Sequence, residues 1–209
     1  MIEVKRRTDA LMGRHYQCPT GLIGRIIGER MVRQHEPETL WTLAVLDIAP
    51  TDQVLEVGCG AGRAIELVAA RVPDGHAIGF DLSRTMVRAA TRRNARAVER
   101  GRVSVRQGDV AHLPFADRQF DRVLSIHTLY FWVDPVGAVA EIGRVLAPGG
   151  RLVLTFSPGM VDAGDDEGVR DVLDRQVLPA MEQAGFSMVS VERGPDSRQY
   201  KTVAVVGTT

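Results

Sequence analysis

The sequence predicts an α/β protein with a doubly wound sheet, and three observations lead to this fold class. From about Gln53 onward, short β-branched apolar runs alternate with longer segments of helical period, which is typical of a parallel sheet wound with helices. The 209 residues suffice for one ordinary domain with a substantial core. The segment RGPDSRQ near the end of the chain is too short for a crossover helix, so the strands that flank it are expected to pair antiparallel.

Seven segments have the composition of β-strands, with β-branched and apolar residues bounded by turn-forming residues. The first five alternate with helices and are expected to be parallel, and the last two follow without a helix between them. The predicted strands are residues 53–58, 76–81, 103–109, 122–127, 151–156, 187–194 and 200–209.

Start and stop signals delimit the helices of the α/β region. They are predicted at 64–72, 84–100, 136–146 and 167–184; the second begins after Ser83 as N-cap and ends at Gly101. Before the first strand, residues 21–35 and 37–49 have the pattern of two amphipathic helices. We therefore expect an N-terminal helical cap over residues 1–52, packed on one compact unit formed by residues 53–209.

Composition and charge exclude several classes of protein. The 26 basic residues balance the 26 acidic ones, which argues against binding nucleic acid through its phosphates. The two cysteines, Cys18 and Cys59, are too few for a disulfide scaffold, and no Cys/His spacing resembles a metal site. No membrane span or signal peptide is evident, so a cytoplasmic protein is expected. The oligomeric state stays open, and a homodimer is compatible with the sequence.

A glycine-rich segment follows the first predicted strand and leads directly into a helix. It contains Gly58, Gly60 and Gly62, where the backbone can turn sharply and approach a ligand because there is no Cβ. The second strand ends in Asp81, and the third is followed by Asp109. Strand ends meet at one edge of a doubly wound sheet, where an acid can hold a ribose diol through two hydrogen bonds. The pattern predicts a nucleotide-like ligand.

These residues also have a purely structural interpretation. Turns use glycine for their own conformation, and Asp81 and Asp109 can each serve as a helix N-cap or turn residue. Their order along the chain and their shared position at strand ends favour a binding site over that alternative.

The spacing of the glycine segment disfavours two common nucleotide ligands. A dinucleotide fingerprint requires G-x-G-x-x-G, but the third position falls on Arg63. A phosphate-binding P-loop requires a lysine, and none lies nearby. Glu56, at the end of the first strand, would repel a pyrophosphate and attract a cationic ligand.

Five motifs, in order along the chain, carry a resemblance to a known family. They are E-x-G-x-G-x-G at 56–62, G-F-D-L-S at 79–83, G-D-V-A-H-L-P-F at 108–115, F-D-R-V-L-S at 120–125 and L-A-P-G-G at 146–150. Together they resemble the class I S-adenosylmethionine-dependent methyltransferases, which have a Rossmann-like seven-stranded sheet with an antiparallel last strand. More narrowly, the sequence is similar to the small-molecule branch that includes ubiquinone and menaquinone biosynthesis methyltransferases.

The resemblance implies S-adenosylmethionine as cofactor and assigns its methionine portion to the glycine segment. Gly58, Cys59, Gly60 and Gly62 would border that portion, and Glu56 would influence its ammonium group. Cys59 is expected to be a small loop residue rather than a nucleophile.

The resemblance places the nucleoside portion at the ends of the second and third strands. Asp81 would bind both ribose hydroxyls and Leu82 would pack on the adenine ring. Asp109 would accept a hydrogen bond from the adenine amino group, while the backbone N–H of Val110 would reach a ring nitrogen.

The end of the fourth strand would lie beneath the sulfonium. Ser125, Ile126 and His127 occupy that position in the resemblance. Methyl transfer is an in-line displacement in which the protein mainly supplies alignment and exclusion of water. A base is needed only when the acceptor must lose a proton, and His127 is the first candidate, followed by Tyr130.

The predicted function is transfer of a methyl group from S-adenosylmethionine to a small-molecule acceptor. Two alternatives stay open. One is a non-catalytic protein that binds S-adenosylmethionine or S-adenosylhomocysteine. The other is an RNA methyltransferase, suggested by Arg84, Arg88, Arg92 and Arg96 along one helix. The neutral net charge and the sequence S-I-H-T, which stands in place of an aromatic-proline acceptor motif, argue against the second alternative.

Overall fold

The computed structural model of the protein describes residues 35–209, and it confirms the predicted α/β fold class. Within these residues a single sheet contains seven strands in the order β3-β2-β1-β4-β5-β7-β6. The strands β1 to β5 are parallel, and β7 pairs antiparallel with both β5 and β6. The strands are β1 (Gln53–Val57), β2 (His76–Asp81), β3 (Val103–Gln107), β4 (Phe120–Ile126), β5 (Leu146–Phe156), β6 (Ser187–Arg193) and β7 (Val203–Thr208).

The strand order reverses between β1 and β4, and this reversal positions the site. The chain runs outward from β1 through β2 to β3 and then returns to place β4 on the other side of β1. Helices that follow β1 and β4 therefore leave toward opposite faces, which opens a crevice at the carboxyl ends of these strands. Residues Val54, Leu55 and Val57 of β1 are buried, as the near-continuous apolar run of a central parallel strand requires.

Helices cover both faces of the sheet. One apolar cluster includes Leu46 and Val68, and the other includes Ile142 and Met181. No helix in the described part of the chain is long and apolar enough to cross a membrane. The helices are α1 (Glu36–Leu46), α2 (Arg63–Arg71), α3 (Arg84–Arg93), α4 (Ala95–Glu99), α5 (Pro135–Val145), α6 (Glu167–Val172) and α7 (Leu178–Gln183).

Helix α1 corresponds to the predicted helix at 37–49 and packs across the sheet. It contacts β4 and β5, and its buried Thr42 and the Thr155 hydroxyl of β5 are 2.7 Å apart. Leu43 and Leu46 enter the apolar core. The other predicted N-terminal helix, at 21–35, lies outside the described residues except for His35. The division at residue 52 stays a prediction.

Two predicted helices differ in detail from the structure. The helix predicted at 84–100 is divided into α3 and α4 at the buried Asn94, whose side-chain amide donates to the carbonyls of Gly62 and Ala90. The helix predicted at 167–184 contains a π-helical turn at Leu173–Val177. Pro179 follows that turn, and a proline lacks the N–H needed to continue regular α-helical bonding.

Candidate active site

The carboxyl ends of β1, β2 and β4 surround a cavity that collects most of the predicted cofactor residues. Gly62, Ser125 and the candidate base Tyr130 do not line it. The predicted residues that line it are Glu56, Gly58, Cys59, Gly60, Asp81, Leu82, Asp109, Val110, Ile126 and His127. The cavity is therefore lined by residues from three separate motifs and by the two residues that follow the fourth.

The glycine segment folds into a turn in which two glycines have different roles. Gly58 has φ +73°, and a Cβ there would lie 2.2 Å from Cγ2 of Thr128, so the position accepts no larger residue without rearrangement. Gly60 has φ +50° and nothing within 4 Å of its Cβ position. Gly58 thus allows close packing of the chain, whereas Gly60 leaves open space in the cavity wall.

Asp81 is fixed against the glycine segment by its own carboxylate. Its Oδ2 accepts a hydrogen bond from the backbone N–H of Gly60 at 2.8 Å, and its Oδ1 accepts one from Ser83 at 2.8 Å. Burial raises the pKa of Asp81, although both backbone hydrogen bonds oppose this shift. Each oxygen retains a lone pair for a hydroxyl group in the cavity.

Glu56 is a buried carboxylate with an incomplete set of partners. Its side chain lines the cavity, and its Oε2 has no hydrogen-bond partner among the described residues. Burial raises the pKa of Glu56 well above its usual range, and the charge of Asp81 adds to the increase. Burial likewise raises the pKa of the Cys59 thiol, with further contributions from Asp81 and Glu56, so the thiol stays protonated.

The residues expected at the nucleoside portion form the outer part of the cavity. The Oδ1 of Asp109 accepts a hydrogen bond from the backbone N–H of Ala111 at 3.1 Å. Val110 is buried, whereas Leu82 is 57% exposed. An apolar side chain left this open beside a cavity is available to cover a flat ligand.

The remaining predicted residues support the cavity wall from behind. Gly62 is the N-cap residue of α2, and its carbonyl accepts a hydrogen bond from Asn94. Ser125 is buried; its hydroxyl donates to the carbonyl of Val57 and contacts the hydroxyl of Thr128. These contacts hold the ends of β1 and β4 together.

His127 has an unusual backbone conformation at the end of β4. Its φ is +56°, in the left-handed region that non-glycine residues seldom occupy, and its N–H donates to the carbonyl of Thr155. Burial holds the pKa of His127 below its ordinary range, although the neighbouring Glu38 opposes the shift. The imidazole is therefore neutral at neutral pH.

Tyr130 contacts the other side of the His127 ring. Its hydroxyl is 3.2 Å from Nδ1 of His127 and accepts a hydrogen bond from the backbone N–H of Ser157 at 2.5 Å. Burial raises the pKa of Tyr130 to about 12, so the phenol stays protonated, and its hydroxyl donates to the carbonyl of Ser157 at 3.3 Å. The structure thus joins the two predicted catalytic candidates to each other.

The structure adds two residues that the sequence did not identify, His35 and Glu38 of the α1 region. Glu38 Oε1 lies 3.2 Å from Nδ1 of His35 and 3.5 Å from Nε2 of His127. The side chain of Glu38 is only 2% exposed. Burial raises the pKa of Glu38, but the polar groups of His127, His35 and Ser197 outweigh it, so the net shift is strongly downward and the carboxylate stays ionised.

The only available sequence signal for this pair was its spacing. His35 and Glu38 are three residues apart at the start of a predicted helix, where such residues are neighbours on one face. Acidic residues are also common in the first helical turn, because their negative charge interacts favourably with the positive end of the helix dipole. The pattern alone therefore does not identify a site.

Comparisons with known proteins identify relatives of this chain. Residues 55–154 match the family model for a methyltransferase domain. The uncharacterized methyltransferase YdaC of Bacillus subtilis is 29% identical over 167 residues, which cover 80% of this chain and 89% of the relative. Demethylmenaquinone methyltransferase of Symbiobacterium thermophilum is 37% identical over 105 residues, which cover 50% of this chain and 42% of that protein.

Solved structures show the same fold at low sequence identity. Geranyl diphosphate C-methyltransferase from Streptomyces coelicolor, solved with S-adenosyl-L-homocysteine, has a TM-score of 0.69 and 17% identity, covering 84% of this chain and 79% of that one. The family match, the relatives and the ordered motifs support a class I S-adenosylmethionine-dependent methyltransferase. The family implies S-adenosylmethionine as the methyl donor.

Proposed function

We propose that this protein transfers a methyl group from S-adenosylmethionine to a small-molecule acceptor. The observation that carries the proposal is the combination of the Asp81–Gly60 hydrogen bond with the unpartnered carboxylate oxygen of Glu56 in one cavity. The donor carries both a ribose diol and a cationic methionine portion. A site with a carboxylate for each fits the donor better than it fits a pyrophosphate.

The proposed cofactor contacts follow the residues around the cavity. Glu56 would face the ammonium group, and the backbone of Gly58, Cys59, Gly60 and Gly62 would border the methionine portion. This assignment is supported by the open space at Gly60 and by the buried, incompletely bonded carboxylate of Glu56.

The nucleoside and sulfonium contacts complete the proposed cofactor site. Asp81 would bind the ribose hydroxyls with the lone pairs left by its two backbone bonds. Leu82, Asp109 and Val110 would contact the adenine, while the Ser125–His127 segment would lie beneath the sulfonium. When bound, the donor supplies an electrophilic methyl group.

The acceptor would occupy the side of the cavity near His127. Phe131, Trp132 and Val133 line this side together with His35, which makes it apolar and aromatic. Such a lining fits a modest, flat, apolar acceptor. His127 would contact the reacting groups there as a neutral imidazole, and Tyr130 would act through His127 because its hydroxyl bonds to that ring.

Calorimetric binding of S-adenosylmethionine and S-adenosylhomocysteine to the full chain tests the proposal. We expect micromolar affinity, and a loss of at least about 100-fold in Asp81→Ala, because two hydrogen bonds to a carboxylate are removed. Asp74→Ala is the matched control, since Asp74 is exposed and does not line the cavity. No binding by folded native protein, or equal affinity in both variants, would overturn the proposed site. Transfer of a radiolabelled methyl group to quinols, phenols and amines then tests catalysis.

A further inference from the structure

Two imidazoles converge on one buried carboxylate at the acceptor side of the cavity. His35 and His127 both line the cavity, and their ring centroids are 4.3 Å apart. One ring nitrogen of His35, one ring nitrogen of His127 and one carboxylate oxygen of Glu38 all lie within 4.8 Å of one another. Glu38 comes from α1, whereas His127 comes from the end of β4, so the packing of α1 on the sheet creates this cluster.

The polar groups around His127 favour the tautomer with its proton on Nε2. The hydroxyl of Tyr130, which donates to the carbonyl of Ser157 at 3.3 Å, lies 3.2 Å from Nδ1. The ionised Glu38 lies on the Nε2 side of the ring and attracts a proton there. That proton points toward the side of the ring where Glu38 Oε1 lies, 3.5 Å away. Nε2 of His127 is thus buried facing Glu38 without a hydrogen bond to the described residues, and its Nδ1 faces Tyr130.

His35 differs from His127 because one of its nitrogens remains open. Its Nδ1 lies 3.2 Å from the Glu38 carboxylate, which accepts the N–H and leaves Nε2 as the neutral, basic nitrogen. Within residues 35–209, no hydrogen bond is formed by that Nε2, and the side chain is 21% exposed at the cavity. A carboxylate behind an imidazole fixes its tautomer and stabilises the imidazolium that forms on protonation.

We infer that His35 removes a proton from the substrate that receives the methyl group, and that Glu38 positions His35. The substrate would react through a phenolic or enolic hydroxyl. The inference rests on the proposed function. A hydroxyl on an aromatic or enolic carbon matches the apolar aromatic wall formed by Phe131 and Trp132. It is also the hydroxyl whose acidity lies within reach of an imidazole, whereas a neutral amine attacks without prior loss of a proton.

The step balances in atoms and charge. An electron pair of the acceptor oxygen forms the new bond to the methyl carbon, and the carbon–sulfur bond breaks with its pair retained by sulfur. The hydroxyl proton moves to Nε2 of His35. One positive charge disappears at the sulfonium and one appears on the imidazolium, next to the ionised Glu38. Among residues 35–209, the other charged or titratable groups that act on the imidazole pair are Tyr130 and Arg198.

Proton transfer can be observed without turnover by using 4-nitrophenol, whose phenolate absorbs visible light. The full chain is saturated with S-adenosylhomocysteine and mixed with the probe about one pH unit below the probe's own pKa, where about a tenth of it is ionised in buffer. We expect at least about threefold more phenolate in the presence of native protein. The gain should disappear in His35→Ala and shrink in Glu38→Gln. His76→Ala, at the opposite edge of the sheet, should behave like the native protein.

Two further measurements keep the outcomes distinct. Each variant is first titrated with S-adenosylhomocysteine, and unchanged affinity shows that the cofactor site is folded. If native protein does not bind S-adenosylhomocysteine, the proposed function fails. If native protein binds S-adenosylhomocysteine but gives the same phenolate signal as His35→Ala, the inference that His35 accepts the proton is overturned. The inference is also overturned if the signal disappears with a chelator and returns with added Zn²⁺, because the three side chains would then hold a metal ion.

Discussion

The two ends of the cavity each contain a buried carboxylate, and their environments differ in a way that separates two kinds of site. Glu56 at the cofactor end has an unpartnered oxygen and a pKa raised by burial and by Asp81. Glu38 at the acceptor end has a pKa that is lowered overall, because neighbouring donors outweigh its burial. Each carboxylate has one oxygen without a hydrogen-bond partner among the described residues, but the other oxygen of Glu38 faces two imidazoles, whereas the nearest charge that acts on Glu56 is the like charge of Asp81.

This difference indicates where each carboxylate finds its partner. A buried carboxylate without a cation or donor destabilises the unliganded protein, and a cationic ligand relieves that cost when it binds. A carboxylate already surrounded by donors needs no ligand and can instead orient the groups around it. We therefore expect Glu56 to act in ligand binding and Glu38 to act in the architecture of the acceptor side.

The largest expected effect comes from truncating Glu38. Glu38→Ala should lower the free energy of unfolding by about 3 kcal/mol, because His35 loses its acceptor and the buried charge that faces both half-buried imidazoles is removed. Glu38→Gln keeps an acceptor oxygen and should cost about 1 kcal/mol. Urea unfolding measures both. Glu99→Ala, on the exposed face of α4, is the control, and a similar loss in Glu38→Ala and Glu99→Ala would contradict the proposed architectural role of Glu38.

Glu56→Gln should produce an effect of opposite sign. A raised folded pKa means that the carboxylate contributes stability below its unfolded pKa and loses that contribution as the pH rises through the folded pKa. At neutral pH the uncharged amide should therefore raise the Tm of the unliganded protein by about 2–4 °C. Below about pH 4 the Glu56 carboxyl is protonated in both the folded and the unfolded native protein, so it is uncharged like the amide and the difference should vanish.

The same variant should bind the donor more weakly. Removing the charge that faces the ammonium group is expected to reduce S-adenosylmethionine affinity by about 10-fold, measured by calorimetry. A variant that is both more stable and weaker in binding would confirm the contrast between the two carboxylates. If Glu56→Gln lowered the Tm, the view that Glu56 lacks compensation would be wrong.

The sequence predicted the cofactor end more completely than the acceptor end, for a physical reason. Glu56, Gly58 and Asp81 lie at consecutive strand ends, and parallel sheet topology alone brings such positions together. The prediction therefore needed only the strands and their order. In the structure, Gly62 and Ser125 lie behind the cavity wall, because the order of the strands does not specify which residues at their ends face the cavity.

The acceptor end depends on tertiary packing that local patterns do not encode. Glu38 meets His127 only because α1 crosses β4 and β5, a docking that an amphipathic helix pattern does not specify. The same pattern makes Glu38 resemble an ordinary acidic residue of a first helical turn. The break at Asn94 and the π-helical turn before Pro179 likewise depend on contacts or bonding beyond residue propensity.

The smallest expected effect is a pH dependence at the acceptor end. Because burial depresses the pKa of His127, this group's contribution to stability is present above its unfolded pKa and is lost as the pH falls through the folded value. From about pH 6.5 downward, native protein should lose of the order of 1 kcal/mol more stability than His127→Asn, in which no imidazole titrates. Asparagine is the chosen replacement because it tolerates the left-handed conformation of this residue.

Urea unfolding of both proteins at several pH values measures this difference. Subtracting the two curves removes the titration of the other carboxylates and histidines that the proteins share, and His76→Asn serves as the control for loss of a histidine elsewhere. A difference of the reverse sign would mean that Glu38 stabilises the charged imidazole more than burial opposes it. In that case His127 would be a cation beside the proposed sulfonium position, and the acceptor end would repel the donor rather than accommodate it.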